Sequence, residues 1–287
     1  MILITGANGK TGKAILTELV RRGHMVRCLV HRDAQSPDLL ALGAVDVVCG
    51  DMILPEIALK AADGVETIYH ICPNMHPDEA VVGRVMLAAA NDRKVSSFIF
   101  HSVLHPQITK MRHHWNKLLV EQEIFTSGIS YSIIQPTAYM QNLLAYWPMM
   151  TKDGVYAPPY SQQTQLGLVD LMDVAEAAVK IILQPEFRGG IFELVGTPAY
   201  SQEEVAEIIG TRIGKRIQTS GASRLDWEGN ARRGQMPEYT IQTLIAMFDY
   251  YAKYGMGGSS MVLEWILGRK PTSLEQFVDR ILTEIKN

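Results

Sequence analysis

One short stretch, Gly6-Ala7-Asn8-Gly9-Lys10-Thr11-Gly12, limits what this chain can fold into more than any other. It follows Ile2–Thr5, a run with the character of a strand buried on both faces. It precedes Ala14, Ile15, Leu16, Leu19 and Val20, which recur at helical spacing until Arg21-Arg22-Gly23 supplies a cationic last turn and a glycine stop. Glycine at every third position of a strand–turn–helix junction permits a tight turn and close approach of a ligand to the backbone. The helix beyond it presents unpaired N–H groups and a positive dipole end. A dinucleotide diphosphate needs that arrangement, although glycines here also serve a purely structural turn.

The alternation that starts there continues. Strands are expected over Met25–Val30, Val45–Cys49, Thr67–Ile71, Ser97–His101 and Tyr131–Ile134. Between them, helices are expected over Pro37–Gly43, Pro55–Ala62, Glu79–Asn91 and Thr109–Thr126. Crossovers of helical length join parallel strands with a right-handed turn. The expected class is therefore α/β, a Rossmann-like doubly wound parallel sheet with a small C-terminal α+β substrate-binding cap. Residues 1–152 are assigned to the dinucleotide-binding domain, and 153–287 to a mixed segment that completes the sheet edge and forms the cap.

The second half is less regular. Gly154–Gly167, rich in Pro, Tyr and Gln, reads as a surface loop, followed by a strand at Leu166–Val169 and a helix at Asp173–Leu183. A strand at Ile191–Val195 precedes Ser201-x-x-Glu204, a capping box. Ser220–Gly234 is polar without a clean period, Tyr239–Tyr254 is an amphipathic helix, Gly255–Ser260 a flexible break, and Thr272–Ile285 a closing helix.

Composition removes other classes. A net charge of −3 argues against a general nucleic-acid or membrane-surface binder. No apolar run approaches the roughly 18 residues of a membrane span, and the N-terminus has no basic region of a signal peptide. The three cysteines, Cys28, Cys49 and Cys72, form no C-x-x-C pair and read as small hydrophobes in a reducing compartment. A cytoplasmic protein with no nucleic-acid or membrane partner is expected, and a homodimer is compatible with the sequence. No metal site is expected. His101-x-x-x-His105 runs from a strand end into a loop containing Pro106, so helical ligand spacing does not join them to His113 and His114.

Strand ends on this fold line the ligand crevice. The expected cofactor contacts are Gly6, Asn8, Gly9, Lys10, Thr11 and Gly12, then His31 and Arg32, Cys72 and Pro73, and, as a family resemblance implies, Asp51 and Met52. After the second strand, an acid would bind the ribose hydroxyls of NAD, whereas a cation accommodates the 2′-phosphate of NADP. In His31-Arg32-Asp33 the arginine comes first, with a forked donor suited to phosphate, which favours NADP(H) over NAD(H). Asp33 is the rival, and both are also ordinary loop charges.

These residues resemble the NmrA-like group of atypical short-chain dehydrogenases/reductases. The opening glycine pattern, Gly50-Asp51-Met52, Lys117-x-x-x-Glu121 with Ser127-Gly128-Ile129-Ser130-Tyr131, Gln135–Asn142 and Gly268–Ser273 carry the resemblance over nearly the whole chain. The group contains reductases of isoflavone, quinone and dye substrates, and redox-sensing regulators with little catalysis. Most short-chain reductases place Tyr-x-x-x-Lys on the helix after the fifth strand; the matching spacing here is His113-x-x-x-Lys117. The resemblance gives Lys117 the nicotinamide ribose, against the alternative of a surface lysine paired with Glu121 at i+4. His113 is a candidate general acid, an imidazole of pKa about 6.5, or else a solvent-facing histidine. Tyr139 is a second candidate donor, and Ser102 a candidate to orient a carbonyl or a simple loop cap.

Met111, Met140, Met149, Met150, Trp147, Tyr139 and Tyr146 form either core packing or the wall of an apolar pocket, with Trp227, Tyr239, Phe248, Tyr250 and Tyr251 as candidates to cover it. The absent tyrosine tilts the expected acceptor toward quinone-like, conjugated or aromatic small molecules, whose reduced forms are stabilised anions or phenols. Two readings result: an NADP(H)-dependent reductase of such an acceptor, and an NADP(H)-binding redox sensor with little or no turnover.

Overall fold

In the computed structural model, which describes residues 1–221 and 223–286, strand β1 (Ile2–Ile4) is fully buried and runs into the glycine turn. Helix α1 (Lys10–Arg21) follows, burying Gly12, Ile15, Leu16 and Leu19 along one side. The alternation continues through β2 (Val26–Val30), α2 (Ser36–Ala41), β3 (Asp46–Cys49), α3 (Pro55–Ala62), β4 (Thr67–His70), α4 (Glu79–Asp92), β5 (Ser97–His101), α5 (Arg112–Thr126) and β6 (Tyr131–Pro136). The sheet has seven strands in the order Ile191–Leu194, β6, β5, β4, β1, β2, β3. All five pairings among β1 to β6 are parallel. The edge strand advances with β6, Gly189 N–H bonding Tyr131 O and Ile133 N–H bonding Gly190 O. The Rossmann-like sheet is thus present, and its order reverses between β1 and β4, where this architecture opens its crevice.

Contacts divide the chain into two units, each described on its own. The first comprises Met1–Thr109, His113–Gln135 and Val174–Phe192; the second comprises Lys110–Arg112, Pro136–Asp173 and Glu193–Asn287. The chain therefore changes unit several times, whereas the sequence suggested one cut after residue 152. The reason is that residues from the second half, Val174–Phe192, belong with the sheet, while 136–152 pack with later residues. In the first unit, Leu3, Leu29, Ile68, Phe98, Phe100 and Ile133 of the strands meet Ala58, Ala62, Val82, Met86, Val120 and Ile124 of α3, α4 and α5 in one apolar cluster. At about 25 cal/mol per Å² of apolar surface removed from water, such a cluster dominates the stabilisation of the unit.

The second unit has its own core. Met140, Leu143, Met150, Tyr156, Leu168, Val205, Ile209, Leu274, Phe277 and Val278 form it. Met140 and Met150 are completely buried there, and Met111 is completely buried too, while Tyr146 and Trp147 pack against the cluster and Met149 is 43% exposed. Core packing, rather than an open apolar wall, accounts for most of the Met-rich set. Trp227 meets Phe248 edge-on at 4.8 Å, and Tyr160 contacts Phe248 and Tyr251.

Gly154–Gly167 is not a surface loop. Val155–Tyr156 pairs in parallel with Gln218–Thr219. Tyr156 is buried and donates to Gln202 Oε1 at 2.9 Å, and Leu166 bridges to Tyr200 and Met256. Turn-forming residues surround two apolar anchors that only distant partners can bury. Ser220–Gly234 likewise contains a helix, Arg224–Arg233, capped by Ser223 and tied by Arg232 to Glu228 and Glu238. Its polar surface hides the period that apolar residues would reveal; Ala222 lies outside the described residues. Helix α5 begins at Arg112 rather than Thr109, after His105 adopts a left-handed φ of 54°. The Ser201–Glu204 capping box is formed as expected. Cys28 and Cys72 are buried thiols and Cys49 is half-buried. Among the described residues, no helix is long and apolar enough to cross a membrane.

Candidate functional site

The turn after β1 is open because its glycines have no side chains. Gly6 sits at φ +58°, and a Cβ there would lie 2.7 Å from Ile71 O; a Cβ on Gly12 would lie 2.6 Å from both Cα and O of Ala7. Either contact is shorter than atoms tolerate, so the backbone path itself selects glycine. Gly9 and Lys10 are exposed. Gly9 caps α1 without a side-chain bond, and no acidic residue occupies the first turn. The positive end of the α1 dipole is consequently left for an external anion. The Oδ1 of Asn8 is buried with no partner among the described residues; as an acceptor it offers nothing to an anion, so the cradle rests on backbone donors. A cradle of this shape, with backbone donors and no internal anion, fits the diphosphate of a dinucleotide.

Three further strand ends border the crevice. His31, Arg32 and Asp33 are exposed after β2, with Arg32 N–H donating to Gln35 Oε1 at 3.1 Å. Asp51 folds onto its own loop, its Oδ1 accepting from Ile53 N–H at 3.1 Å, and Met52 is buried in the core of the unit. Cys72 is buried, which pushes its thiol up, and Pro73 is exposed. Asp51 is half-buried and Met52 buried.

The network around α5 differs from what helical spacing suggests. Lys117 does not pair with Glu121. Its Nζ donates to Glu79 Oε1 at 2.6 Å and to His101 O at 3.2 Å, and lies 5.4 Å from the centre of the Phe100 ring. Glu79, the first residue of α4, is 1% exposed and Lys117 14%. Glu121 is buried and receives the Ser102 hydroxyl in a short hydrogen bond, together with Gln135 Nε2 at 2.9 Å. Burial raises the Glu121 pKa, opposed by the Ser102 and Gln135 hydrogen bonds and the Lys117 charge. Ser102 therefore directs its proton at Glu121, not outward to a substrate carbonyl.

Five buried or half-buried histidines surround this network. His70 Nδ1 lies 2.9 Å from Thr5 Oγ1, and His101 Nδ1 lies 2.7 Å from the Tyr69 hydroxyl. His114 Nδ1 lies 3.1 Å from His105 O, and its ring meets His113 edge-on at 4.5 Å. Burial lowers His70, His101 and His113 to about 3 and His114 to about 4, with the Lys117 charge adding to each shift. His113 is neither solvent-facing nor ionised at pH 7. The imidazolium expected to replace tyrosine as general acid is absent because desolvation penalises it. His70 Nε2, His113 Nδ1 and His114 Nε2 have no partner among the described residues. Among those residues no group of three His, Cys, Asp or Glu is placed to hold a metal.

One unit therefore brings together the glycine turn, Ser102, His113 and Lys117, while Tyr139 belongs to the second unit, on Ala138–Tyr139 paired with Leu168–Val169. Sequence reading missed Glu79 as a partner of Lys117. An acid opening a helix is so common at N-termini that nothing marks it until the fold closes.

A profile of the NmrA-like family matches residues 1–281. The photosystem II assembly factor Ycf39 of Cyanophora paradoxa is 27% identical over 232 residues, covering 76% of this chain and 70% of that protein. The NAD(P)H azoreductase of Xenophilus azovorans is 24% identical, covering 96% of each chain. Quinone oxidoreductase 2 of Escherichia coli is 23% identical, with 98% of each chain covered. The crystal structure of that oxidoreductase with NADPH superimposes with a TM-score of 0.85 over 98% of this chain and 100% of the other, at 23% identity, a likeness of fold.

Proposed function

The chain belongs to the NmrA-like family, and on that footing we propose that it is a cytoplasmic NADP(H)-dependent reductase of a quinone-like, conjugated or aromatic small molecule. The observation that carries this reading is the pairing, within one unit, of an anion cradle at Gly6–Gly12 with an ammonium, Lys117, already fixed at the end of β5. Relatives named as an NAD(P)H azoreductase and a quinone oxidoreductase support it.

In this reading the α1 N–H groups bind the diphosphate, Arg32 faces the 2′-phosphate, and Lys117 turns its remaining N–H toward the nicotinamide ribose. The cofactor, when bound, supplies the hydride. The residues of the chain orient the acceptor and exclude water. His113, neutral at working pH, donates a hydrogen bond at most, and Ser102 is engaged by Glu121. Acceptors that yield a stabilised anion suit such a site better than simple ketones, which need a strong acid partner; water is left as the proton source.

NADPH consumption over a panel of quinones, conjugated carbonyls and simple ketones tests the proposal, with Lys117→Ala as control. Turnover with quinones or conjugated acceptors, lost in the variant, is the expected result. Reduction of simple ketones alone would contradict the acceptor class. The burial of His113 favours a second reading, a redox sensor that binds the cofactor without turnover. Silence across the panel together with tight NADPH binding would select it.

A further inference from the structure

Glu79 is 1% exposed, and a carboxylate so buried requires a partner. It opens α4, where the helix dipole favours a negative charge. Its partner is Lys117, 38 residues later, at 2.6 Å. Helical spacing offered Lys117 another acid, Glu121, but that carboxylate is held by Ser102 and Gln135. Glu79, the His101 carbonyl and the Phe100 ring thus fix one long side chain from three directions. Two of the three ammonium N–H groups are engaged, so the direction of the third is set before any ligand arrives. The segment that ends at Glu79 begins at Ile71, whose carbonyl borders Gly6 of the anion cradle. A single connection therefore touches the diphosphate turn at one end and Lys117 at the other.

We propose that Glu79 is a positioning residue for Lys117: it holds the ammonium ready for the nicotinamide ribose and contributes to cofactor binding only through that lysine. The inference rests on the reading of the crevice as an NADP(H) site. Its distinguishing property is non-additivity, because a residue that acts through another has no effect once the other is removed.

The test is a cycle of wild type, Glu79→Gln, Lys117→Met and the double variant, with NADPH titrated by fluorescence and the KM values of cofactor and acceptor measured separately. Glu79→Gln is expected to raise the NADPH Kd by about tenfold and the cofactor KM with it, leaving the acceptor KM unchanged. In the Lys117→Met background the same change should move the Kd by less than about twofold. An equal loss in both backgrounds, or no loss in the first, overturns the proposal while the cofactor reading stands. Absence of NADPH binding by wild type overturns the cofactor reading and the positioning role with it. Should Glu79→Gln fail to fold, Glu79→Asp carries the test. Charge retained one methylene short should give a Kd between wild type and Lys117→Met, and a Kd equal to wild type in a folded protein would count against the proposal.

Discussion

The glycine turn after β1 and the network around Lys117 lie at strand ends of the same sheet, yet they are built by opposite means. The turn is backbone: its properties come from atoms that Gly6 and Gly12 lack, and residues within a few positions decide them, apart from the Ile71 carbonyl. The Lys117 network is made of side chains, and its bonds join α4 to α5, the end of β5 to α5, and α5 to β6 across 38, 19 and 14 residues. The lesson is that a glycine turn is set by its own few residues, whereas a buried ion pair is a property of the packed unit.

The sharpest way to separate the two is acid. His70, His101 and His113 are held near 3 and His114 near 4, against about 6.5 for an unfolded histidine. Folded values below the unfolded one mean that the unfolded chain binds more protons between them. The stability that depends on these neutral rings is present above about pH 6.5 and declines as pH falls toward 4 and 3, by roughly 1.4 kcal/mol per pH unit for each ring. Urea melts should show a loss of several kcal/mol between pH 7 and pH 5, and His113→Gln should reduce the slope by about one proton. A flat profile would break the account of the network as desolvated.

Next in size, Lys117→Met leaves the buried Glu79 charge alone and should cost about 3 to 5 kcal/mol in the same melts. The neutral pair Glu79→Gln with Lys117→Met should return to within about 1 kcal/mol of wild type. A double variant no better than the single would mean that the pair holds the fold itself. Gly12→Val tests the other region. Its Cβ meets the Ala7 backbone, so about 3 kcal/mol of stability and NADPH binding should be lost together. Retained binding would show that the turn is only structural. The smallest effect is expected at the exposed Arg32. Arg32→Ala should weaken NADPH about tenfold while leaving NADH nearly unchanged, as for one phosphate contact. Equal losses for both cofactors would remove the NADP(H) preference.

Most of the first unit was legible. Strands β1 to β6 and helices α1 to α5 fall where apolar periods and glycine stops put them, because parallel strands buried on both faces must be continuously apolar. Legibility failed where long-range burial overrides local composition. Tyr156 and Leu166 sit among Pro and Gln, yet they anchor a core. Met140 and Met150, candidates for a pocket wall, fill that same core, since a period of apolar residues does not say which surface covers them. For His113, beside His114 on a polar helix, the sequence left a general acid and a solvent-facing ring both open, and only the folded unit shows that both rings are buried.

By itself, then, the sequence determined the parallel α/β architecture, the glycine turn after β1 and the place of Lys117 on the helix after β5, because each depends on steric and periodic rules that act over a few residues. The tertiary structure alone decided that Glu79 takes Lys117, that Ser102 donates its hydrogen bond to Glu121, and that His113 is buried. Pairing and desolvation belong to whichever groups packing brings together, and spacing along the chain does not encode them.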